Sequence, residues 1–453
     1  RKRNKLPRKK IKKMNKVILV VLVFLGTTAI AQHQYSVSEA QEYGSKNNIE
    51  IRNALLDVKY AKKQIKETRA IGLPHLNSEL QWQKFIDIPT SIVPANAFNP
   101  NAPANEIMEM KMGMEQNVTA AITASQLIFD GSYIIGLKAA TTFKKMAEHK
   151  MNLTNQQIKD SIAIAYYNVL IINENKKFLK SIVEVHQQIL KELQATHKQG
   201  FIEDIEVDRM AIIVSTMKIQ AEEVKRFSEI SYMMLKMMLS IPFDEELILT
   251  DSLDNLLAKG TDLQLQEATI ENRFEYKMSE AQTTLMKLDL IRYKTAWIPS
   301  IAAFGAYSEN AMRNEFNFTN DGSWYPTKMI GIKASMPIFN GFSGSALTQK
   351  AKIKHLQSLN DLEHTRQALV LDYKSSESAY LTALSSKKNQ ENNLRLYKKI
   401  YLKTLAKYKE GLVGSSEVAT GGADYLQAQT EYSKSIQQLL ITKMKYNRTL
   451  GLN

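Results

Sequence analysis

Hydrophobic positions follow two periods in alternation along the chain, and the whole alternation occurs twice. Val37, Ala40, Tyr43, Ile51, Leu55, Val58 and Ile65 recur at helical spacing with one displaced step, and no proline intervenes before Pro74, which predicts a helix over about 36–71. After Pro74 the period drops to two. Leu76, Leu80 and Trp82 alternate with Asn77, Glu79, Gln81 and Gln83, and further on Val118, Ala120, Ile122 and Ala124 alternate in the same way, so strands are expected at about 75–86 and 112–128. From Gly131 the helical period returns and runs without proline to Gly200. Ile158, Ile162, Ala165, Val169 and Ile172 step by four and three, an a/d seam, and predict a helix over about 132–199. Beyond Gly200, Val207, Met210, Val214, Met217, Ala221 and Val224 keep the spacing and predict a second helix over about 203–240.

The second half repeats the first. Ala-Ser-Gln-Leu-Ile-Phe-Asp-Gly at 124–131 returns as Ala-Ser-Met-Pro-Ile-Phe-Asn-Gly at 334–341, a spacing of 210 with Phe129/Phe339 and Gly131/Gly341 in register. Asn47-Asn48-Ile49-Glu50 matches Asn272-Arg273-Phe274-Glu275, and Leu73-Pro74 matches Ile298-Pro299, both at an offset of 225. Separate motif pairs in the same order amount to an internal duplication. The expected division is a first repeat over 32–240, a linker or equatorial segment over 241–262, and a second repeat over 263–453. The second repeat is expected to hold a helix at 263–296, strands at 299–308 and 327–338, and helices at 344–410 and 416–449 around a turn at Gly411. Segments 84–111 and 309–326 read as exposed loops. Each copy of the long motif marks a strand handing over to a helix, with Gly131 and Gly341 expected to permit the bend.

A helix of this length extends on the order of 90 Å, longer than the interior of a compact domain. Four strands with one apolar face each need cover, and in a membrane only a closed sheet has no open edge. Single-chain barrels need at least about eight strands, so four per chain require several chains, and three would supply twelve. The expected fold class is mostly α with a transmembrane β part, in two structural repeats of helix, strand, strand and long helical hairpin. Trp82 and Tyr307 occupy matching positions in the repeats and are expected in an interfacial aromatic girdle.

The formal charge of +14 changes this picture little, because ten of the 60 Lys and Arg lie in residues 1–16 and no acidic residue precedes Glu39. Without that region the balance is +4, which removes the case for a nucleic-acid footprint. Residues 1–31 read as a leader and signal peptide: Met14-Asn15-Lys16, the apolar Val17–Leu25 and Ala29-Ile30-Ala31, with cleavage expected after Ala31 and the initiator expected at Met14. The chain has no Cys, hence neither a disulfide nor a lipid on an N-terminal cysteine.

The signal peptide, the repeated Asn-x-x-Glu helix ending in Leu/Ile-Pro, the Ile-Phe-Asp/Asn-Gly strand end and the glycine turn in each long hairpin resemble the TolC family of outer-membrane efflux proteins over essentially all of 36–451. The resemblance implies a homotrimer with a 12-stranded β-barrel continuous with a periplasmic α-helical barrel, in the outer membrane of a Gram-negative bacterium. It also implies a periplasmic adaptor protein and an inner-membrane pump as partners in efflux or type I secretion, with outer-membrane lipid around the barrel. The turns Gly200-Phe201-Ile202 and Gly411-Leu412-Val413 are implied as adaptor-docking points, beside their certain role of ending a helix. Glu206, Asp208 and Glu417 are candidate pore-gate residues. Three copies of Glu417 would favour cations at a constriction, whereas the plainer role is an acid in a first helical turn.

Gly421-Gly422 departs from the resembled family, which usually continues with good helix formers at this point, and predicts a locally softened helix, at about 1 kcal/mol per glycine. Catalysis has no support. The seven His are scattered without metal-binding spacing, no phosphate loop or nucleophile elbow is present, and the 19 Met read as core filler, so no enzyme, cofactor or metal is expected. The competing reading is a structural periplasmic coiled-coil or adaptor protein.

Overall fold

The computed structural model describes residues 33–98, 100–101, 103, 105–258, 267–319 and 322–451; the expected leader at 1–31 lies outside them. In chain order, β1 (His33–Tyr35) precedes helices α1 (Val37–Asn47) and α2 (Ile49–Ala70). Strand β2 (His75–Lys84), the pair β3 (Thr90–Pro94) and β4 (Ile107–Lys111), and β5 (Gln116–Phe129) lead to α3 (Gly131–Lys198) and α4 (Asp204–Leu239). Then come β6 (Leu247–Leu249), α5 (Leu253–Ala258), α6 (Phe274–Thr295), β7 (Ser300–Arg313), β8 (Tyr325–Ser335), α7 (Ser343–Lys409) and α8 (Ser415–Thr449). The duplication is visible in the lengths. Helices α2 and α6 have 22 residues each, α3 and α7 have 68 and 67, and α4 and α8 have 36 and 35.

Several elements differ from expectation for identifiable reasons. The helix expected over 36–71 is two helices, because Asn48 is extended (φ −60°, ψ 136°). Its side chain takes over the bonds the break exposes, accepting from Glu50 N at 2.8 Å and donating to Met238 O at 2.8 Å. This break is the displaced step in the hydrophobic pattern. The matching residue Arg273 has nearly the same backbone (φ −66°, ψ 140°), so α6 starts at Phe274 and, of the helix expected over 263–296, the described residues before it hold the 3₁₀ turn Ile270–Asn272 while 263–266 lie outside them. Strand β7 runs to Arg313, five residues into the expected loop, because β5 continues to pair with it there. The segment 84–111 contains the antiparallel β3–β4 pair, whose Ile-Met-Glu-Met-Lys alternation is hidden among neighbouring Pro and Asn. Strand β8 stops at Ser335, short of 338. Pro337 has no N–H to continue the ladder.

The described residues form two compact units, and the long helices contribute to both. One comprises the chain up to Asn53, Asn152–Arg273 and the part from Leu369 onward. Its cores are helix seams. Ile158, Ile162, Tyr166 and Val169 of α3 pack with Leu235 and Leu239 of α4 and Ile436 and Leu440 of α8, alongside the small parallel β1–β6 pair. The other unit, Ala54–Met151 with Phe274–Ala368, contains the antiparallel sheet β2-β5-β7-β8, whose outer strands β2 and β8 each leave one edge unpaired within the chain.

Candidate functional site

The sheet has two chemically distinct faces. Register places Leu76, Ala124, Gly305 and Ile330 in one cross-strand row and Ser78, Ile122, Tyr307 and Lys328 in the next. Leu80, Ala120, Glu309 and Pro326 follow, then Trp82, Val118 and Ala311, then Lys84, Gln116 and Arg313. The opposite face carries Asn77, Glu79 and Gln81 on β2, Asn117, Thr119 and Thr123 on β5, and Ser308 and Asn310 on β7. On the first face Leu76, Leu80, Ile330 and Ile332 are each exposed by 72% or more, an apolar surface with nothing of this chain over it.

The limit of that apolar face moves along the strands. Going away from the helices, and with Ser78 lying inside it on β2, the apolar face gives way at Lys84 on β2, Gln116 on β5, Glu309 on β7 and Lys328 on β8. Across three strand steps the limit descends three rows, or six residues. At about 3.4 Å per residue and 4.8 Å between strands, a level boundary then corresponds to strands leaning about 55°. Transmembrane barrels lean roughly 35–45°. Trp82 and Tyr307 share this face but not a row, and the lean brings them toward one level. Trp82 donates from Nε1 to Gln116 Oε1 at 3.2 Å, and Tyr307 donates to Glu309.

Where sheet meets helix, the two motif glycines do different work. Asp130 caps α3, its Oδ1 accepting from Tyr133 N at 2.7 Å, and Gly131 has no left-handed backbone. A Cβ there would meet Thr295 Cβ at 2.9 Å, so Gly131 admits the end of α6. Gly341 instead has φ +61°, a Cβ on it would find no atom within 4 Å, and Phe342 follows at φ +65°. Only the second copy contains a left-handed bend.

In the other unit the hairpin turns are near duplicates. Gly200 (φ +81°) and Gly411 (φ +71°) are left-handed. Phe201 N donates to Thr196 O at 3.3 Å and Leu412 N to Lys407 O at 2.9 Å, the six-to-one bond of a Schellman ending. Phe201 and Leu412 are 77% and 72% exposed, whereas Ile202 and Val413 are half-buried. The first turn has an extra clasp between His197 Nδ1 and Ile202 O at 3.0 Å.

The three acids have unlike surroundings. Glu206 Oε2 accepts from Ser415 Oγ at 2.6 Å, which ties the start of α4 to the start of α8, and Arg209 stands 3.4 Å away. Asp208 and Glu417 are exposed near the starts of α4 and α8. The structure thus brings Glu206 to the second hairpin and leaves the other two on the surface of this chain.

Sequence reasoning missed the buried group beside these turns. His186 of α3 is fully buried, with Nδ1 on Ile182 O at 2.9 Å and Nε2 without a hydrogen-bond partner of acceptable geometry. Its ring stacks on Tyr401 of α7 (6.2 Å, 10°), and Tyr401 stacks on Tyr425 of α8 (5.6 Å, 29°). Burial holds the His186 imidazole below its ordinary pKa, against the opposing pull of the Ile182 and Val418 backbone, and pushes Tyr401 up to about 12. Gly422 makes room for the ring, since a Cβ there would lie 2.6 Å from His186 Cε1. The glycine pair expected to soften the helix lies inside continuous α8, and one member is there for close approach. The signal is present in the sequence: Leu179, Ile182, His186, Ile189 and Leu193 step by three and four along one seam.

Among the described residues no helix is long and apolar enough to cross a membrane, and no group of three or more His, Asp or Glu is placed to hold a metal. Residues 265–451 match the family model described as outer membrane efflux protein. The outer membrane protein TolC of Vibrio cholerae serotype O1 is 22% identical over 279 residues, 59% of this chain and 62% of that protein, so the match spans less than two thirds of the relative. Among solved structures, CusC is similar with a TM-score of 0.73 at 15% identity, covering 92% of each chain. The outer membrane channel CmeC of Campylobacter jejuni has a TM-score of 0.69 at 16% identity, covering 92% of this chain and 85% of that one. The open-state MtrE channel of Neisseria gonorrhoeae has a TM-score of 0.70 at 14% identity, covering 92% and 88%. The outer membrane efflux protein model thus covers the second repeat, and the fold formed by both repeats is similar to that of these solved channels.

Proposed function

We propose that this chain is the outer-membrane exit duct of a tripartite efflux or type I secretion system. Three copies close a 12-stranded barrel that continues into a periplasmic helical barrel, and solutes pass through it from an inner-membrane pump and its adaptor. The observation that carries this reading is the four-stranded sheet with two unpaired edges and an apolar face whose limit descends three rows from β2 to β8. Such a sheet has no cover of its own, and in lipid its edges require partners. Long paired helices then extend the duct, and the pump supplies the energy. Phe201 and Leu412, exposed at glycine turns, are the docking points offered to the adaptor. Glu417 and Asp208 are the gate acids, while Glu206 fastens the two hairpins to each other.

Fractionation of cells expressing the full chain tests the reading. A heat-modifiable trimer in the outer-membrane detergent extract is the expected result. Monomer in the periplasmic wash refutes it and favours the coiled-coil or adaptor alternative.

A further inference from the structure

The polar limit of the apolar face carries cations on the two edge strands. Lys84 ends β2 and Lys328 lies on β8; both are exposed, and each is the first charged residue met along that face of its strand going away from the helices. No ion pair involves either among the described residues. Lys328 Nζ stands 5.5 Å from the centre of the Tyr307 ring, and Trp82 is the next residue on the same face as Lys84. Between them on that limit, Gln116 is neutral and buried, and Glu309 is occupied by the Tyr307 hydroxyl. Both lysines lie on the side of the apolar face away from the helices, since β2 follows α2 and β8 precedes α7.

We propose that Lys328 and the partner subunit's Lys84 form a binding site for a phosphate-bearing lipid headgroup at each seam of the barrel. This rests on the duct reading above, in which β8 of one copy pairs with β2 of the next. At one level on neighbouring strands, with the lean derived from the apolar limit, the two lysine Cα atoms stand on the order of 8 Å apart. Two flexible ammonium groups at that spacing can meet one phosphate from either side. The aromatic rings beneath them occupy the interfacial layer, where lipid phosphates lie. A cation pair at this depth is electrostatically unfavourable without an anion, and the lipid supplies one.

The test uses full-chain protein purified in neutral detergent and native mass spectrometry with added diphosphorylated lipid A, against the same lipid after removal of its phosphates. Expected is a trimer that binds up to three diphosphorylated lipids, with binding weakened at least tenfold in the Lys84→Gln, Lys328→Gln double variant. Lys333→Gln, on the opposite face of β8, should bind like the parent. Monomer in the same spectra sinks the duct reading and the seam with it. A trimer whose double variant binds like the parent, or which binds the dephosphorylated lipid as tightly, overturns the seam alone.

Discussion

Replacing Gly422 with alanine would set a methyl group 2.6 Å from His186 Cε1 and 2.7 Å from His186 Nε2, while the same change at Gly421 would meet nothing nearer than Tyr401 Cδ2 at 3.8 Å. Both substitutions gain about 1 kcal/mol of helix propensity. Only the first overpacks, and the histidine ring cannot yield easily because it is fully buried and stacked on Tyr401. Overpacking a tight core costs about 1–3 kcal/mol. The two adjacent variants should therefore differ by that amount, Gly421→Ala being the more stable, which is roughly 5- to 150-fold in the local opening equilibrium. Native-state hydrogen exchange on peptides covering 178–190 and 415–430 reads it directly. His186→Ala combined with Gly422→Ala should recover protection relative to the two single losses added together, because the atoms that collide are gone. Equal protection in Gly421→Ala and Gly422→Ala would refute the packing argument and restore the view of both glycines as softeners.

The depressed His186 pKa gives the same region a pH dependence: between the folded value and about 6.5 the unfolded chain binds a proton that the folded one does not, so stability falls as pH drops below about 6.5. His186→Leu should flatten exchange-derived stability against pH in that window. Ser415→Ala removes the hydrogen bond that joins the two hairpins at Glu206 and should cost about 0.5–1.5 kcal/mol, with increased exchange at the starts of α4 and α8. Glu417→Ala should lower cation selectivity and cation block in bilayer conductance; unchanged block sinks the ring of carboxylates.

Periodicity makes the long elements legible because each is long enough for its face to be counted. Helices α3 and α7 repeat their seams over many turns, and Pro74 and Pro299 mark the change to strands. What periodicity cannot carry is the single-residue break. Asn48 and Arg273 interrupt helices through backbone geometry fixed by distant partners, Met238 O for the first and Asp372 at 2.8 Å for the second. The β3–β4 pair stays hidden because five-residue strands give too few alternations against proline-rich neighbours. At the turns, glycine and its exposed neighbours can be read from the chain, but Ser415 on Glu206 cannot, since 209 residues separate them. Metal spacing is the wrong criterion for His186, whose place in a seam of Leu and Ile indicates burial.

The motif written twice hides an asymmetry that mutation can expose. Gly341 is required by its φ of +61°, with open space around it, and Gly131 by Thr295 Cβ at 2.9 Å, with ordinary backbone. A left-handed position costs a residue with a Cβ about 1–2 kcal/mol, less for asparagine, which visits that region through local hydrogen bonding. Gly341→Asn should thus keep the melting temperature of the protein close to that of the parent, while Gly341→Val lowers it. At Gly131 the penalty is a collision, so alanine, asparagine and valine should all be harmful. Asparagine is then the discriminating residue: accepted at 341 and refused at 131. If it is refused at both, the second copy owes its glycine to space rather than to backbone; if accepted at both, the end of α6 is not held against Gly131.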